Sequence, residues 1–282
     1  MQDKAHGMVP THEIFQKPFK VNIELTDEPT PAEYRLWSGG EELGKTMKMW
    51  KVQNKSFPEI DPGLVSDPHG FDDSPDAEAI SSGVNSKGPN SVAIGRHGNF
   101  FLWGFSAQPS DMTPEGQKCF LNSICYIKKF DGQKPLVNKI SSSRLWVFVY
   151  VDYLKSINDE GLIKRLFPED VRQRFGKDPQ KYTQYYRENL EYLHEVNRRI
   201  VVDEDVKSLG LSNRKVELLE RCIAMLERGE KPELAMRLLK RYTREHFSDA
   251  KEWRTWLKKI NRDHLFFTDT GGYKFLINPV AG

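Results

Sequence analysis

Residues 19–25, Phe-Lys-Val-Asn-Ile-Glu-Leu, alternate apolar and polar without a break, which is the period of a half-buried strand. Met47, Met49 and Val52 carry the same period more weakly and predict a second strand. Two β-rich runs, 91–94 and 100–105, flank Gly95-Arg-His-Gly-Asn99, so a hairpin is predicted with its turn at the glycines. A helix is predicted from Pro114, with Thr113 as its cap and Glu115 in its first turn. Phe120, Ile124 and Ile127 recur at helical spacing and predict its buried stripe.

Between 57 and 89 the chain is rich in Pro, Gly, Asp and Ser. A connector of that length is functional or disordered more often than a plain loop. Its anchors Leu64, Phe71, Ile80 and Val84 predict that it is ordered and packed on the 92–105 hairpin. The run 131–143, DGQKPLVNKISSS, reads as a linker.

Beyond the linker the pattern is helical almost to the end. Tyr182, Tyr186, Leu190 and Leu193 form one stripe opened by Asp178-Pro179; Leu219, Ile223 and Leu226 form another, closed at Gly229. Leu234, Leu238 and Tyr242 follow Lys231-Pro232, which predicts an antiparallel helix pair. Asp249 is placed to cap a further helix bearing Trp253, Trp256 and Ile260, and 264–277 close the chain as a second hairpin. The expected architecture is therefore an α/β segment over 1–135, few-stranded and layered on helices. An all-α domain of four to six helices, with a terminal β-hairpin, is expected over 136–282.

The 282 residues suffice for two cores, and 38% hydrophobic against 29% charged residues exclude a disordered chain. No apolar run is long enough to span a bilayer, and the first ten residues carry no signal-peptide pattern. A cytoplasmic location is the default expectation, and export the expectation if the chain is a piece of a longer protein. Residues 1–140 hold 15 Lys+Arg against 18 Asp+Glu, a balance of −3; the remainder holds 27 against 22, a balance of +5. Neither half carries the basic footprint of a nucleic-acid domain. Cys119, Cys125 and Cys222 lie in apolar helical patterns without metal-ligand spacing, which predicts buried free thiols and neither metal nor cofactor.

Gly39 to Thr46 spells the phosphate-loop pattern letter for letter. That pattern needs a buried strand before it and a helix opening at the lysine. Here the lead-in is a poor strand, Met-Lys-Met-Trp-Lys-Val alternates after it, and Glu41 and Glu42 would face a polyanion; an exposed turn is expected. His69, Asp72, Asp73, Asp76 and Glu78 concentrate acid–base and ligand chemistry within ten residues. Such carboxylates can hold a ligand or, paired, hydrolyse glycosides; they can equally hydrogen-bond their own turns. Arg96, His97 and Asn99 sit at the predicted hairpin tip, where recognition groups and turn formers are equally at home. The aromatic residues of the helical half fall at core spacing.

THEIF, VAIGRHGNFFLWGF and TPEGQKCFLNSICYI resemble the carboxy-terminal part of a ThuA-like (trehalose-utilisation) domain, a group within the class I glutamine amidotransferase-like proteins. The resemblance covers roughly residues 10–130 and extends to uncharacterised bacterial proteins. It implies a partial amidotransferase-like layer and an association with carbohydrate metabolism. No position matches the group's Cys-His-Glu set, so glutaminase activity is not implied. The early strands of the group have no counterpart, so the sheet is expected to be completed or covered by the helical domain, by a partner, or by self-association. Two functions follow: a non-catalytic binding or assembly module whose surface joins 66–90 to 95–99, or a carbohydrate-active hydrolase using the 69–78 cluster with His69 or His97.

Overall fold

The computed structural model describes residues 1–37, 39–156 and 159–279. The chain divides into two compact units, Met1–Leu136 and Val137–Gly282.

The first unit is mixed α/β and is built on one sheet. Its strands are β1 (Lys4–His6), β2 (Thr26–Pro29), β3 (Thr46–Lys51), β4 (Ala77–Gly83), β5 (Val92–His97) and β6 (Phe100–Trp103). They lie in the order β2-β3-β1-β4-β5-β6, every neighbour antiparallel. The β5–β6 hairpin forms as predicted, but its turn is only Gly98-Asn99, with Gly98 at φ +56°; Gly95, Arg96 and His97, expected at the tip, continue β5 and pair with Leu102, Phe101 and Phe100. The helix α1 (Pro114–Ile127) also falls as predicted, with the Thr113 hydroxyl accepting from Gly116 N at 3.0 Å. A Cβ at Gly116 would come within 2.0 Å of the Val52 carbonyl, so only glycine lets the helix start this close to the end of β3.

Residues 19–25 are not a strand; the strand in this region is β2, at 26–29. The reason lies in α1. The Asn122 side chain, fully buried, accepts from Phe19 N at 2.9 Å and donates to Phe19 O at 2.6 Å and Ile14 O at 2.8 Å. Asn22 N donates to Glu115 Oε2 at 2.6 Å. Backbone groups that a strand partner would take are thus taken by helix side chains, and the alternation places only Val21 in the core while Phe19 and Leu25 stay exposed.

The buried face of α1 also differs from the expected stripe. It consists of Gly116, Cys119, Asn122, Ser123 and Tyr126, whereas Ile124 is 51% and Leu121 47% exposed. Cys125 is exposed with them, against the expectation of three buried thiols; Cys119 and Cys222 are buried. Polar residues occupy this face because its neighbours are bare backbone and a carboxylate as well as a hydrophobic core.

The 57–89 stretch is ordered and holds β4, the strand paired between β1 and β5. Ile80 and Val84 anchor it in the core as expected, while Leu64 is 72% exposed. Its small residues hide the strand from propensity but suit the site: a Cβ at Gly83 would strike Met1 Sδ at 2.6 Å and Ala93 at 3.1 Å. One face of the sheet packs on α1 through Trp50, Ile80, Ile94 and Phe105. The other face carries Tyr34, bonded to His6 Nε2 at 2.6 Å, and Phe71, which lies over Gly95.

The second unit holds eight helices and two hairpins among the described residues, more helices than expected. They are α2 (Trp146–Ser156), α3 (Glu160–Leu166), α4 (Glu169–Phe175), α5 (Pro179–Glu188), α6 (Glu204–Leu209), α7 (Glu217–Arg228), α8 (Pro232–Tyr242) and α9 (Ala250–Lys259). The strands are β7 (Leu193–Val196) paired with β8 (Arg199–Val202), and β9 (Leu265–Thr268) paired with β10 (Lys274–Ile277). The stripe expected to run from Tyr182 to Leu193 stops at Glu188, and Leu193 opens β7 instead. Asn197 and Arg198 both have positive φ, 50° and 63°, the two-residue turn that matches strand twist. The antiparallel pair α7–α8, the Asp249 cap of α9 and the closing hairpin fall as predicted.

Two apolar clusters fill this unit. One gathers Val147, Phe167, Tyr182, Tyr186 and Leu193; the other Leu219, Ile223, Leu239, Tyr242 and Trp253. Arg144, 2% exposed, stands between elements of both. It makes a bidentate pair with Asp269 through Nε and Nη2, and Nη1 donates to Leu190 O at 2.8 Å and Asn213 Oδ1 at 3.0 Å.

Candidate functional site

Register decides which of the predicted site residues meet. Glu78 on β4 stands opposite Arg96 on β5, so both point to the α1 face. Arg96 is 5% exposed; its Nη2 donates to Glu78 Oε1 at 2.8 Å and its Nη1 to Gly98 O at 3.0 Å, and its guanidinium lies 3.8 Å from the centre of the Phe130 ring. Glu78 Oε2 accepts from the Tyr126 hydroxyl at 2.5 Å and faces His12 Nε2 at 3.3 Å. His12 Nδ1 accepts from Ile14 N at 3.3 Å, which leaves the ring proton on Nε2, directed at Glu78. Burial alone would raise the Glu78 carboxyl. The bonds from His12, Arg96 and Tyr126 outweigh it and hold the group well below the ordinary carboxylate range.

The Tyr126 hydroxyl is raised by its burial and by donating to that carboxylate. Glu78 is therefore a fixed anion surrounded by donors, a poor proton donor near neutrality.

Asp76 and His97 form a separate group. The Ser74 hydroxyl donates to Asp76 Oδ1 at 2.5 Å, and His97 Nε2 lies 3.5 Å from Ser74 Oγ and 3.6 Å from Asp76 Oδ1. The composition suggests a hydrolytic triad, but the geometry is not one. A triad histidine bridges acid and hydroxyl with its two nitrogens; here one nitrogen faces both, and the hydroxyl proton is directed at the carboxylate. Ser74 is also 5% exposed. Asp76 Oδ2 accepts from Leu136 N at 2.9 Å and its carbonyl accepts from Gly98 N at 3.0 Å. The aspartate thereby ties the segment after α1 to the hairpin turn, where a Cβ on Gly98 would meet Pro135 N at 2.7 Å.

Asn99 sits in that turn with its Oδ1 buried and without a hydrogen-bond partner. His69 lies in a 3-10 turn capped by the Asp67 side chain, and Asp72 and Asp73 lie in the turn that follows, Asp72 exposed. His69 and Asp72 do not join either group. The predicted cluster is thus divided, and its two halves face different surroundings.

His12 and Tyr126 complete the Glu78 network and were not singled out by sequence. His12 lies in THEIF and Tyr126 in TPEGQKCFLNSICYI, both segments of the ThuA-like resemblance, but neither segment assigns them chemistry, and Tyr126 sits in α1 at a position indistinguishable from core. Burial pushes the Cys119 and Cys222 thiols up to about 12 each, so neither is an activated nucleophile. Among the described residues no group of three or more His, Cys, Asp or Glu is arranged to hold a metal ion. Residues 39–46 follow a 3-10 turn and lead into β3, not into a helix, and the carbonyls of Glu41 and Gly44 bond Arg35. No helix of the described residues is long and apolar enough to cross a membrane. No protein-family model, curated protein or solved structure matches the chain significantly.

Proposed function

We propose that the chain is a non-catalytic binding or assembly module. The observation that carries this reading is the occupation of the 74–78 carboxylates: Glu78 accepts from Arg96 and Tyr126 and meets His12, and Asp76 accepts from Ser74 and Leu136 N. A hydrolase of the two-carboxylate kind needs one group protonated and one free to meet the substrate or a water, and Glu78 offers neither state. An assembly role is supported by the outer side of α1, where Leu121 and Ile124 are about half exposed and Asn122 holds the exposed Phe19 nearby. The link to carbohydrate rests on the ThuA-like resemblance of residues 10–130 alone.

The full-length chain and its Glu78→Gln variant, tested on a panel of nitrophenyl glycosides and in thermal unfolding, separate the two readings. A module shows no turnover in either form and a large loss of stability in the variant. Turnover abolished by the substitution at unchanged stability would establish the hydrolase instead. For assembly, Leu121→Ser with Ile124→Ser is expected to shift the sedimentation coefficient toward the monomer value.

A further inference from the structure

A cleft of about 560 Å³ opens in the second unit. It is lined by the segment 139–142, by the β7–β8 turn, and by residues of α2 and α3. Lys139, Arg165, Arg198 and Arg199 line it against a single acid, Glu195. That acid is engaged: Glu195 Oε2 accepts from Ser142 N at 2.9 Å. Arg199 is engaged as well, its Nε donating to Arg165 O at 3.0 Å, which ties the hairpin to α3 and fixes the width of the opening. Arg165 and Arg198, by contrast, have no carboxylate partner among the described residues. Elsewhere in this unit Arg144 closes on Asp269, Arg237 on Asp205 and Arg254 on Glu227, while Arg172, Arg174, Arg187, Arg228 and Arg244 pair with no acid among the described residues but do not line this cleft.

Arg165 and Arg198 are both exposed, so water screens part of the repulsion between them, and an anion that joins them relieves the rest. The planar fork of a guanidinium fits phosphate oxygens two at a time. The cleft is too large for phosphate alone, since 560 Å³ lies within the span of pockets that hold whole organic ligands. Its remaining lining fits such a body: Leu162 and Leu166 on α3, the Tyr150 ring on α2, and Ile140 at the lip, 72% exposed.

We propose that this cleft binds a small phosphorylated organic molecule, of the size of a sugar phosphate or mononucleotide. Arg165 and Arg198 take its phosphate, and the Tyr150–Leu162–Leu166 side takes its body. The proposal concerns the second unit alone, so its failure leaves the reading of the first unit unchanged.

The test is calorimetric titration of the full-length chain with inorganic phosphate, glucose 6-phosphate and AMP, beside glucose and adenosine. Inorganic phosphate is expected to bind at millimolar concentration, at least one ester at least tenfold tighter, and the dephosphorylated compounds at least tenfold weaker than their esters. Arg165→Gln and Arg198→Asn are each expected to weaken ester binding tenfold or more at unchanged melting temperature, asparagine being chosen because position 198 has positive φ. Absence of phosphate and ester binding, equal binding of ester and parent, or full affinity in both variants would each overturn the proposal. A single-stranded oligonucleotide that binds through the same arginines while the monomeric esters do not would replace it with a nucleic-acid surface.

Discussion

Glu78→Gln is the sharpest probe of the first unit. The substitution keeps shape and removes charge. An amide presents one oxygen and one NH₂, so in either orientation the NH₂ meets a donor: Arg96 on one side, or Tyr126 and His12 on the other. At least one charge-assisted bond becomes a donor–donor contact, and Arg96, 5% exposed, loses its counter-ion. Bonds to charged groups are worth about 1.5–3 kcal/mol each. Two of them affected would cost ~4 kcal/mol, and solvent screening of a Glu78 side chain that is 34% exposed lowers this to about 3 kcal/mol. For a unit of this size that is a fall of roughly 10 °C in melting temperature.

The pH dependence is specific. The folded carboxyl is held below its unfolded value, so its contribution is complete above about pH 4.5 and is lost progressively as pH falls below that toward the folded value. The gap between wild type and variant should hold from pH 7 to about 5 and then narrow by ~1.4 kcal/mol per pH unit at most. Urea unfolding, with hydrogen exchange of β4 and β5 peptides to localise the loss, measures it. Equal stability at pH 7 would show that the network contributes nothing, and a gap unchanged down to pH 3 would show that packing, not charge, is responsible.

Three further outcomes are expected. His6 is 2% exposed, and its burial outweighs the opposing hydrogen bond at Gly83, lowering its pKa to about 4; the neutral form is the folded one, so wild type should lose about 3 kcal/mol between pH 6.5 and 4, a slope that His6→Gln removes in denaturant titrations. Asn122→Ala deletes three bonds to Ile14 and Phe19 and should cost about 3 kcal/mol, with fast hydrogen exchange confined to 14–22; unchanged exchange there would refute the account of why 19–25 is not a strand. Asp269→Asn strands a buried guanidinium and should cost about 3–5 kcal/mol, whereas Arg144→Met with Asp269→Leu together should recover most of it, by double-mutant comparison of unfolding free energies.

Elements with local signals were legible. The hairpin at 92–103, α1 with its Thr113 cap, and α7–α8 around Gly229 and Lys231-Pro232 each announce themselves within a few residues. Elements whose causes lie far along the chain were not. The alternation at 19–25 is real, but Asn122, about a hundred residues later, takes the backbone groups. β4 is written in Ala, Ser and Gly because its neighbours crowd it, so its composition reads as loop. The β7–β8 turn uses Asn-Arg in place of a glycine pair, and the aromatic stripe before it reads through as helix; the cleft that this turn lines was hidden with it. At the candidate site the residue types near 69–78 pointed to chemistry, but only register and helix placement show that Glu78 faces Arg96 while Asp76 faces Ser74 and the chain after α1.

The arginines make the general point about where to look for function in this chain. Arg96 and Arg144 share one device: a carboxylate, a backbone carbonyl and an aromatic ring around a buried guanidinium. A cation so enclosed is shut away from an external ligand, even where one donor stays unbonded as Arg96 Nε does, and removing any part exposes a desolvated charge, so its role is to fix the fold. Arg165 and Arg198 have the same chemistry and none of the complement. The difference cannot be read near either residue, because the partner of Arg144 lies 125 positions away and that of Arg96 lies 18 away. What separates a structural arginine from a binding one here is whether folding has already supplied its anion. By that criterion the acid-rich loop of the first unit, where the sequence pattern concentrates reactive residue types, is largely engaged, and the cleft of the second brings together two guanidiniums that folding leaves without an acid.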